Sequence, residues 1–103
     1  MTDIAIVQSS FGDPGEAALV ARKLLEERLA ACTSLMPVTS IYRWQDVTQE
    51  AAETVMTAKT TIELANQVAA RIGQLHSYDL PVIERWPVAV DEAVAAWVRN
   101  TTG

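Results

Sequence analysis

Hydrophobic periodicity changes repeatedly along this chain, and the order of those changes limits the folds that it can adopt. Residues 3–10 predict a short strand, because their apolar and β-branched residues form a compact run. Residues 14–31 then repeat apolar positions every three to four residues, which predicts a helix capped by Asp13. A second helix is predicted after residue 60. Its apolar stripe is the clearest in the chain and consists of Leu64, Ala65, Val68, Ile72 and Leu75.

Between the two helices the period is two, which predicts a β-hairpin. Its strands are residues 33–44 and 53–61, and residues 45–52 are interpreted as the turn between them. Strict alternation places Tyr42 and Trp44 on the same face of the first strand. The hairpin therefore presents two large aromatic side chains in one direction.

The last part of the chain predicts one more strand, residues 82–90, and a short helix, residues 91–100. Pro87 interrupts this strand, and Pro37 lies near the start of the second strand. Proline has no N–H group to donate to a strand ladder and is tolerated mainly at sheet edges. The strand that contains Pro87 is therefore expected to be an edge strand, whereas Pro37 is expected to mark either an edge or a bulge.

The resulting order, β-α-β-β-α-β, is that of a ferredoxin-like sandwich of the α+β class, here with a short C-terminal helix added. In this fold two helices cover one face of a four-stranded antiparallel sheet. A single domain over residues 1–103 is predicted, long enough to bury roughly two-thirds of its unfolded surface. The uncovered sheet face and the long hairpin are expected to meet sister copies of the chain.

Charge and composition exclude several classes of partner. Thirteen acidic residues against eight basic ones leave a net charge of −5, and such a chain repels phosphate backbones, so nucleic-acid binding is not expected. No apolar run is long enough for a signal peptide or a membrane span, so no membrane partner is expected. A single cysteine cannot form an internal disulfide, which favours the cytoplasm.

Three segments together resemble the CutA family of divalent-cation-tolerance proteins: residues 29–44, 53–61 and 76–88. The first ends a helix in Leu-Ala-Ala-Cys and continues through a proline to Ser-Ile-Tyr-Arg-Trp, and the third reads His-Ser-Tyr-Asp-Leu-Pro. The motif positions here are Cys32, Pro37, Ser40, Tyr42, Trp44, Glu53, Lys59, Thr60, His76, Tyr78 and Pro81.

The resemblance implies a protomer related in shape to the PII-like signalling proteins, assembled into a homotrimer through sheet edges and the long hairpin. It also implies a role in tolerance of copper and other divalent metal ions, with the metal ion as a partner of the protein. It implies no established reaction, so the protein is not expected to be an enzyme or to require a cofactor beyond a divalent metal ion such as copper. The alternative hypothesis is a PII-like small-molecule-sensing or scaffold protein with no metal role.

Cys32 and His76 are the candidate metal ligands. The resemblance also implies copper ligands at the end of the first strand and at a His-His pair, where this chain has Ser9 and Leu75-His76. One cysteine and one histidine cannot fill a tetrahedral site, so further ligands must come from carboxylates such as Glu53, Asp79 or Glu84, or from other subunits. Other interpretations stay open: Cys32 as a buried small hydrophobe, His76 as a polar residue at a helix C-terminus, or the two as a thiolate-imidazole pair of an enzyme.

The predicted cleft consists of Tyr42, Trp44, Glu53, Lys59 and Tyr78. The aromatic side chains either line a pocket or anchor a subunit interface, where tyrosine and tryptophan are enriched, and the interface is the preferred interpretation. Lys59 is expected either to pair with Glu53 or to attract an anion.

Overall fold

The computed structural model describes residues 2–103, so the first residue of the predicted domain lies outside it. In chain order the elements are β1 (Thr2–Phe11), α1 (Pro14–Glu26), β2 (Cys32–Trp44), β3 (Val47–Thr60), α2 (Ala65–Leu75), β4 (Ile83–Val90) and α3 (Glu92–Thr101). One antiparallel sheet has the strand order β2-β3-β1-β4, which is the ferredoxin-like arrangement. The prediction of an α+β sandwich with an additional C-terminal helix is confirmed.

The main core lies between the sheet and the helices α1 and α2. Alternate residues of β1 and β3 point into it, and the buried stripes of both helices pack against them. Its largest fully buried side chains are Val7, Phe11, Val20, Leu24, Met56, Val68 and Ile72.

Helix α3 covers only one end of the opposite sheet face. Ala95 and Val98 of this helix form a second, smaller core with Ile4 and Ala31, and Val88 packs against that cluster. The rest of this face, away from α1 and α2 and beyond α3, is named the open face. It carries the even-numbered residues of β2 from Cys32 to Trp44 and the odd-numbered residues of β3 from Val47 to Lys59, as the register dictates.

Helix α1 ends earlier than the predicted residue 31. Arg28 has a left-handed φ of 59°, and its N–H group bonds back to the Leu25 carbonyl at 3.0 Å. The N–H group of Leu29 bonds to the Leu24 carbonyl at 2.9 Å. This pattern is a Schellman motif, in which the left-handed position is usually glycine. An arginine there carries no stop signal, so the helix was predicted too long.

The hairpin between β2 and β3 is longer than predicted. The expected turn over residues 45–52 is reduced to Gln45 and Asp46, with φ values of 50° and 63°, and residues 47–52 are strand. Two positive φ values indicate a type I′ loop, which usually carries asparagine or glycine and therefore gave no sequence signal here. Because β1 ends at Phe11 opposite Thr54, residues 38–53 pair only with each other and overhang the sheet.

The predicted edge position of β4 is confirmed, and of the two alternatives at Pro37 the structure shows an edge strand rather than a bulge. Pro37 pairs with Thr54 and Pro87 with Ala5 without interrupting either register. At each proline the missing N–H group therefore falls on the outer side of the sheet, where no neighbouring strand needs a donor. Within residues 2–103, no helix is long and apolar enough to cross a membrane.

Candidate functional site

A groove of about 630 Å³ lies on the open face, where the overhanging hairpin meets the end of β1 and the loop over residues 76–82. It is named the aromatic groove. Three of its lining side chains are aromatic and three are charged: Tyr42, Trp44 and Tyr78, with Arg43, Glu53 and Asp79.

Tyr78 closes one side of this groove. Its hydroxyl donates a 2.6 Å hydrogen bond to Glu53 Oε2, and its ring lies so close to Gly12 that a Cβ there would be 2.9 Å from the hydroxyl oxygen. Burial of the phenol, followed by the hydrogen bond and charge of Glu53, raises the pKa of Tyr78 to about 12, with smaller contributions from Tyr42 and Glu16. Near neutral pH Tyr78 is therefore a neutral donor that holds the Glu53 carboxylate in place.

His76 is enclosed beneath the groove, and its side chain has no exposed surface. Its ring stacks on Phe11 with centroids 4.2 Å apart and an interplanar angle of 12°. The Tyr78 N–H group donates to Nδ1 at 3.2 Å, which leaves the proton on Nε2 to donate to the Ser10 carbonyl at 2.9 Å; this tautomer is assigned from the hydrogen bonds. Both ring nitrogens thus hold the backbone, and a metal ion at either one would displace a hydrogen bond.

The loop over residues 76–82 is fixed at both ends. The Glu16 carboxylate accepts from the Ser77 N–H group at 2.7 Å and from its hydroxyl at 2.8 Å. At the other end the buried Ser9 hydroxyl donates to the Val82 carbonyl at 2.7 Å. The loop side of the groove is therefore held in place by hydrogen bonds to β1 and α1.

Four of the five predicted cleft residues come together, namely Tyr42, Trp44, Glu53 and Tyr78. Lys59 does not join them. It lies on the same face of β3 as Glu53 but six positions further along, roughly 20 Å at the usual rise of a strand. That separation is too large for the expected ion pair, which requires an approach within about 4 Å.

The two candidate metal ligands lie at different places in the sheet. Cys32 is opposite Lys59, which in turn pairs with Ile6, whereas His76 contacts Ser10. These positions differ by roughly 13 Å along β1 and roughly 10 Å across two strand spacings. Within one chain, Cys32 and His76 therefore cannot share a metal ion or form a thiolate-imidazole pair.

The thiol of Cys32 is free and half-buried. In the part of the chain that the structure describes, no group of three or more His, Cys, Asp or Glu residues is arranged to hold a metal ion. Metal ligation by Cys32 or His76 stays a prediction, and it needs donors from another subunit.

The predicted cleft did not include other lining residues of the groove, among them Arg43, Asp79, Leu80 and Val82, although Asp79 was considered as a further metal ligand. Arg43 was adjacent to the motif positions, but alternation assigned it to the opposite face of its strand. Asp79, Leu80 and Val82 lie in or next to an irregular loop, where no periodicity indicates direction. Glu16 was also missed, because its place in the first turn of α1 already explained an acidic residue.

Comparison with known proteins gives one consistent family. The family model described as CutA1 divalent ion tolerance protein matches residues 5–101. A "Divalent-cation tolerance protein CutA" from Thermus thermophilus is 39% identical over 89 residues, which are 84% of this chain and 86% of that protein.

Two solved structures have the same fold over nearly their whole length. The crystal structure of CutA1 from Pyrococcus horikoshii superimposes with a TM-score of 0.92 at 34% identity, covering 96% of this chain and 98% of that one. The structure described as the periplasmic divalent cation tolerance protein CutA from Archaeoglobus fulgidus has a TM-score of 0.91 at 28% identity, covering 97% and 98%.

Proposed function

Since this chain belongs to the CutA1 divalent ion tolerance protein family, we propose that it acts as a homotrimer in the cell's tolerance of divalent metal ions, copper among them. The observation that carries this proposal is the family match over residues 5–101, which spans the whole sandwich rather than one motif. The proposal includes no catalytic step and no required cofactor.

The overhanging hairpin supports assembly into an oligomer. A two-stranded hairpin is marginally stable in water by itself. Residues 38–53 nevertheless project beyond the sheet and carry exposed apolar side chains, of which Ile41 is 67% and Trp44 49% exposed. The edges of β2 and β4 offer unpaired backbone groups for the same contact. Sister copies of the chain that cover the hairpin and the edges of β2 and β4 would stabilise the hairpin and pair these backbone groups.

Size-exclusion chromatography with light scattering tests the oligomer directly. We expect three times the chain mass at micromolar concentration, and we expect Trp44→Ser to shift the distribution towards smaller species. Leu19→Ser is the matched control, because Leu19 is 54% exposed on the outer surface of α1 and away from the hairpin. A wild-type monomer would contradict the trimer.

Metal binding is proposed to occur at clefts between subunits, since residues 2–103 of one chain bring no group of three or more His, Cys, Asp or Glu together. Calorimetric titration of copper and zinc into the wild type, Cys32→Ser and His76→Asn measures the contribution of each predicted ligand. We expect Cys32→Ser to weaken copper binding, because its thiol is free, whereas His76 is already hydrogen-bonded at both nitrogens. Equal copper binding by the wild type and both variants would exclude these two residues as ligands.

A second candidate function is favoured by the aromatic groove itself. A concave site of about 630 Å³ that combines aromatic walls with a few charged groups has the size and composition of small-molecule sites. On this alternative the protein is a PII-like sensor or scaffold, and metal binding is incidental. Ligand binding that persists after removal of all metal with a chelator would support it.

We also propose a cytoplasmic location, supported by the single cysteine. The relative from Archaeoglobus fulgidus is described as periplasmic. Cell fractionation with compartment markers distinguishes the two locations.

A further inference from the structure

We propose that the open faces of sister copies pack against each other around the three-fold axis, and that Lys59 of one copy pairs there with Glu84 of the next. This inference rests on the homotrimer of the proposed function, because it names the contact that orders the copies. It is carried by the positions of the two charges in the sheet register and by the apolar surface around them.

A row of four polar side chains crosses the open face at right angles to the strands. The register aligns one residue from each strand, and from β4 to β2 they are Glu84, Gln8, Thr57 and Ser34. Gln8 Nε2 donates to Glu84 Oε1 at 3.3 Å, and the Thr57 hydroxyl donates to Gln8 Oε1 at 3.3 Å. Among the hydrogen bonds of residues 2–103, only the one from Gln8 reaches the Glu84 carboxylate, so Oε2 can accept from a donor outside the chain.

Lys59 lies in the next row of the open face, among uncharged neighbours. It pairs with Ile6 on β1 and with Cys32 on β2, and Trp86 completes this row on β4. In the part of the chain that the structure describes, Lys59 forms no ion pair with a carboxylate. One chain therefore leaves this half-buried lysine without an ionic partner.

The two charges stay apart within one chain. Strand β1 lies between β3 and β4, so Lys59 and Glu84 are two strand spacings apart, roughly 10 Å, and two positions apart along the strands, roughly 7 Å. Their Cα atoms are therefore separated by roughly 12 Å, and the side chains of Ile6 and Gln8 lie between them. Each charge is left to solvent when the chain is alone.

Burial of the open face by a sister copy makes an ionic partner necessary. Large apolar side chains border the polar row and remain exposed in one chain, with Met36 55% and Trp86 40% exposed. Covering them with another copy is favourable, but it also removes Lys59 and Glu84 from water. An unpaired charge is costly to bury, whereas a hydrogen-bonded pair of opposite charges offsets much of that cost. The two charges are therefore expected to meet across the contact.

Position along the strands selects Glu84 rather than Glu53 as the partner. Rotation about an axis that runs along the strands keeps each residue at its height, so residues of different copies meet when their heights are similar. Glu84 is offset from Lys59 by two positions, roughly 7 Å, which the four-carbon stem of a lysine and the side chain of a glutamate can span together. Glu53 is offset by six positions, roughly 20 Å.

The two residues also lie on different sides of the open face. Lys59 belongs to the side formed by β2 and β3, and Glu84 belongs to the edge strand β4. A contact between these two sides is heterologous, and it repeats from copy to copy until the ring closes. The same ion pair would then form at every contact of the homotrimer.

Charge reversal with subunit mixing tests the pair. Lys59→Glu and Glu84→Lys each place like charges at every contact of a homotrimer. We expect each variant to raise the concentration of half-dissociation about tenfold or more, measured by light scattering on dilution in moderate urea, which does not screen charge. Mixing the two variants should restore much of the trimer, because each variant then supplies the charge that the other lacks. A pair within one chain would give no such rescue.

Matched controls and a second measurement use the rest of the molecule. Arg22→Glu and Glu26→Lys reverse exposed charges on the outer side of α1, so each should leave trimer dissociation unchanged. Circular dichroism verifies that each variant folds. The wild type needs no substitution for the second measurement, in which isotope-labelled and unlabelled chains are refolded together and treated with a carbodiimide. Mass spectrometry should then find an amide between Lys59 of a labelled chain and Glu84 of an unlabelled one.

Three outcomes overturn the inference. A trimeric wild type whose dissociation is insensitive to both reversals would remove the ion pair and leave the homotrimer of the proposed function intact. Folded reversal variants that dissociate but are not rescued by mixing would show that the pair is not formed between copies. A cross-linked trimer in which Lys59 is joined to another carboxylate, or to none, would exclude Glu84 as its partner. A monomeric wild type would instead contradict the homotrimer itself.

Discussion

Arg28 and Gly103 bind each other twice. Arg28 Nε donates to the Gly103 carbonyl at 2.9 Å, and the Gly103 N–H group donates to the Arg28 carbonyl at 2.9 Å. The pair joins the end of α1 to the residues that follow α3, although the two helices lie on opposite faces of the sheet. Arg28 makes these contacts from a left-handed backbone conformation with φ of 59°.

The first prediction separates the strain at Arg28 from its contact. Arg28→Ala should lower the free energy of unfolding by about 1 kcal/mol, because it removes the side-chain hydrogen bond and keeps the left-handed conformation. Arg28→Gly loses the same bond but accepts this conformation freely, so it should be more stable than Arg28→Ala by about 1 kcal/mol. Urea denaturation measures both.

Arg22, exposed within α1, is the control for this pair. At residue 22 the glycine variant should have a free energy of unfolding about 1 kcal/mol lower than that of the alanine variant, because the position is helical. If the alanine and glycine variants had the same order of stability at residues 22 and 28, the Schellman interpretation would be contradicted.

The second prediction concerns the contact between Gly12 and Tyr78. In Gly12→Ala the new Cβ would meet the Tyr78 hydroxyl at 2.9 Å, so the ring must move and its bond to Glu53 must weaken. We expect Gly12→Ala to lower the free energy of unfolding by about 1 kcal/mol. In a Tyr78→Phe background the nearest contact is a ring carbon at 3.4 Å, so the same substitution should be better tolerated.

The glycine of α2 provides the contrast. A Cβ at Gly73 would lie 3.6 Å from Ile83 Cδ1, an ordinary contact, and alanine is the better helix former. Gly73→Ala should therefore stabilise the protein by about 0.5–1 kcal/mol.

A double-mutant cycle tests the contact between Gly12 and Tyr78. Fully additive effects of Gly12→Ala and Tyr78→Phe on the free energy of unfolding would show that Gly12 and Tyr78 are not coupled.

The third prediction is a loss of stability at high pH caused by Tyr78. Its pKa is raised from 10.0 to about 12 in the folded protein. Between those values the unfolded chain releases the phenolic proton and the folded chain retains it, so this contribution is complete below pH 10 and is lost as pH rises towards 12. Tyr78→Phe should therefore show a flatter decline of stability over this window than the wild type.

Tyr42→Phe is the control, because it retains the Tyr78 phenol and its bond to Glu53. The alkaline decline should persist in that variant. Denaturation midpoints at a series of pH values, together with ultraviolet titration of the phenols, measure the effect. Parallel pH profiles for the wild type and Tyr78→Phe would contradict the assignment.

The fourth prediction concerns the hairpin tip. Gln45 and Asp46 both have positive φ, which type I′ loops accommodate best with asparagine and glycine. The double substitution Gln45→Asn and Asp46→Gly should raise the free energy of unfolding by about 1 kcal/mol without changing the register. Gln49→Asn, at a strand position of the same hairpin, should give no gain, since asparagine is depleted in strands.

Local signals in the sequence were sufficient for the fold class. Strand and helix periods depend on neighbouring residues, so the order β-α-β-β-α-β and the buried stripe from Ala65 to Ile72 could be predicted and are confirmed. The edge position of β4 could also be predicted, because a proline lacks its N–H group in any context, whereas Pro37 left both an edge and a bulge open for β2. The boundaries at Arg28 and at Gln45–Asp46 could not, since left-handed conformations usually reveal themselves through glycine or asparagine.

The site depended on contacts between distant segments. The motif identified four candidate residues of the groove, Tyr42, Trp44, Glu53 and Tyr78. Only the antiparallel register decided that they share one groove and that Lys59 lies elsewhere. The sequence determined which residue types are present and how each segment repeats, because those properties are local. Tertiary structure decided their partners, since the distance between two side chains depends on how the strands align and not on their separation along the chain.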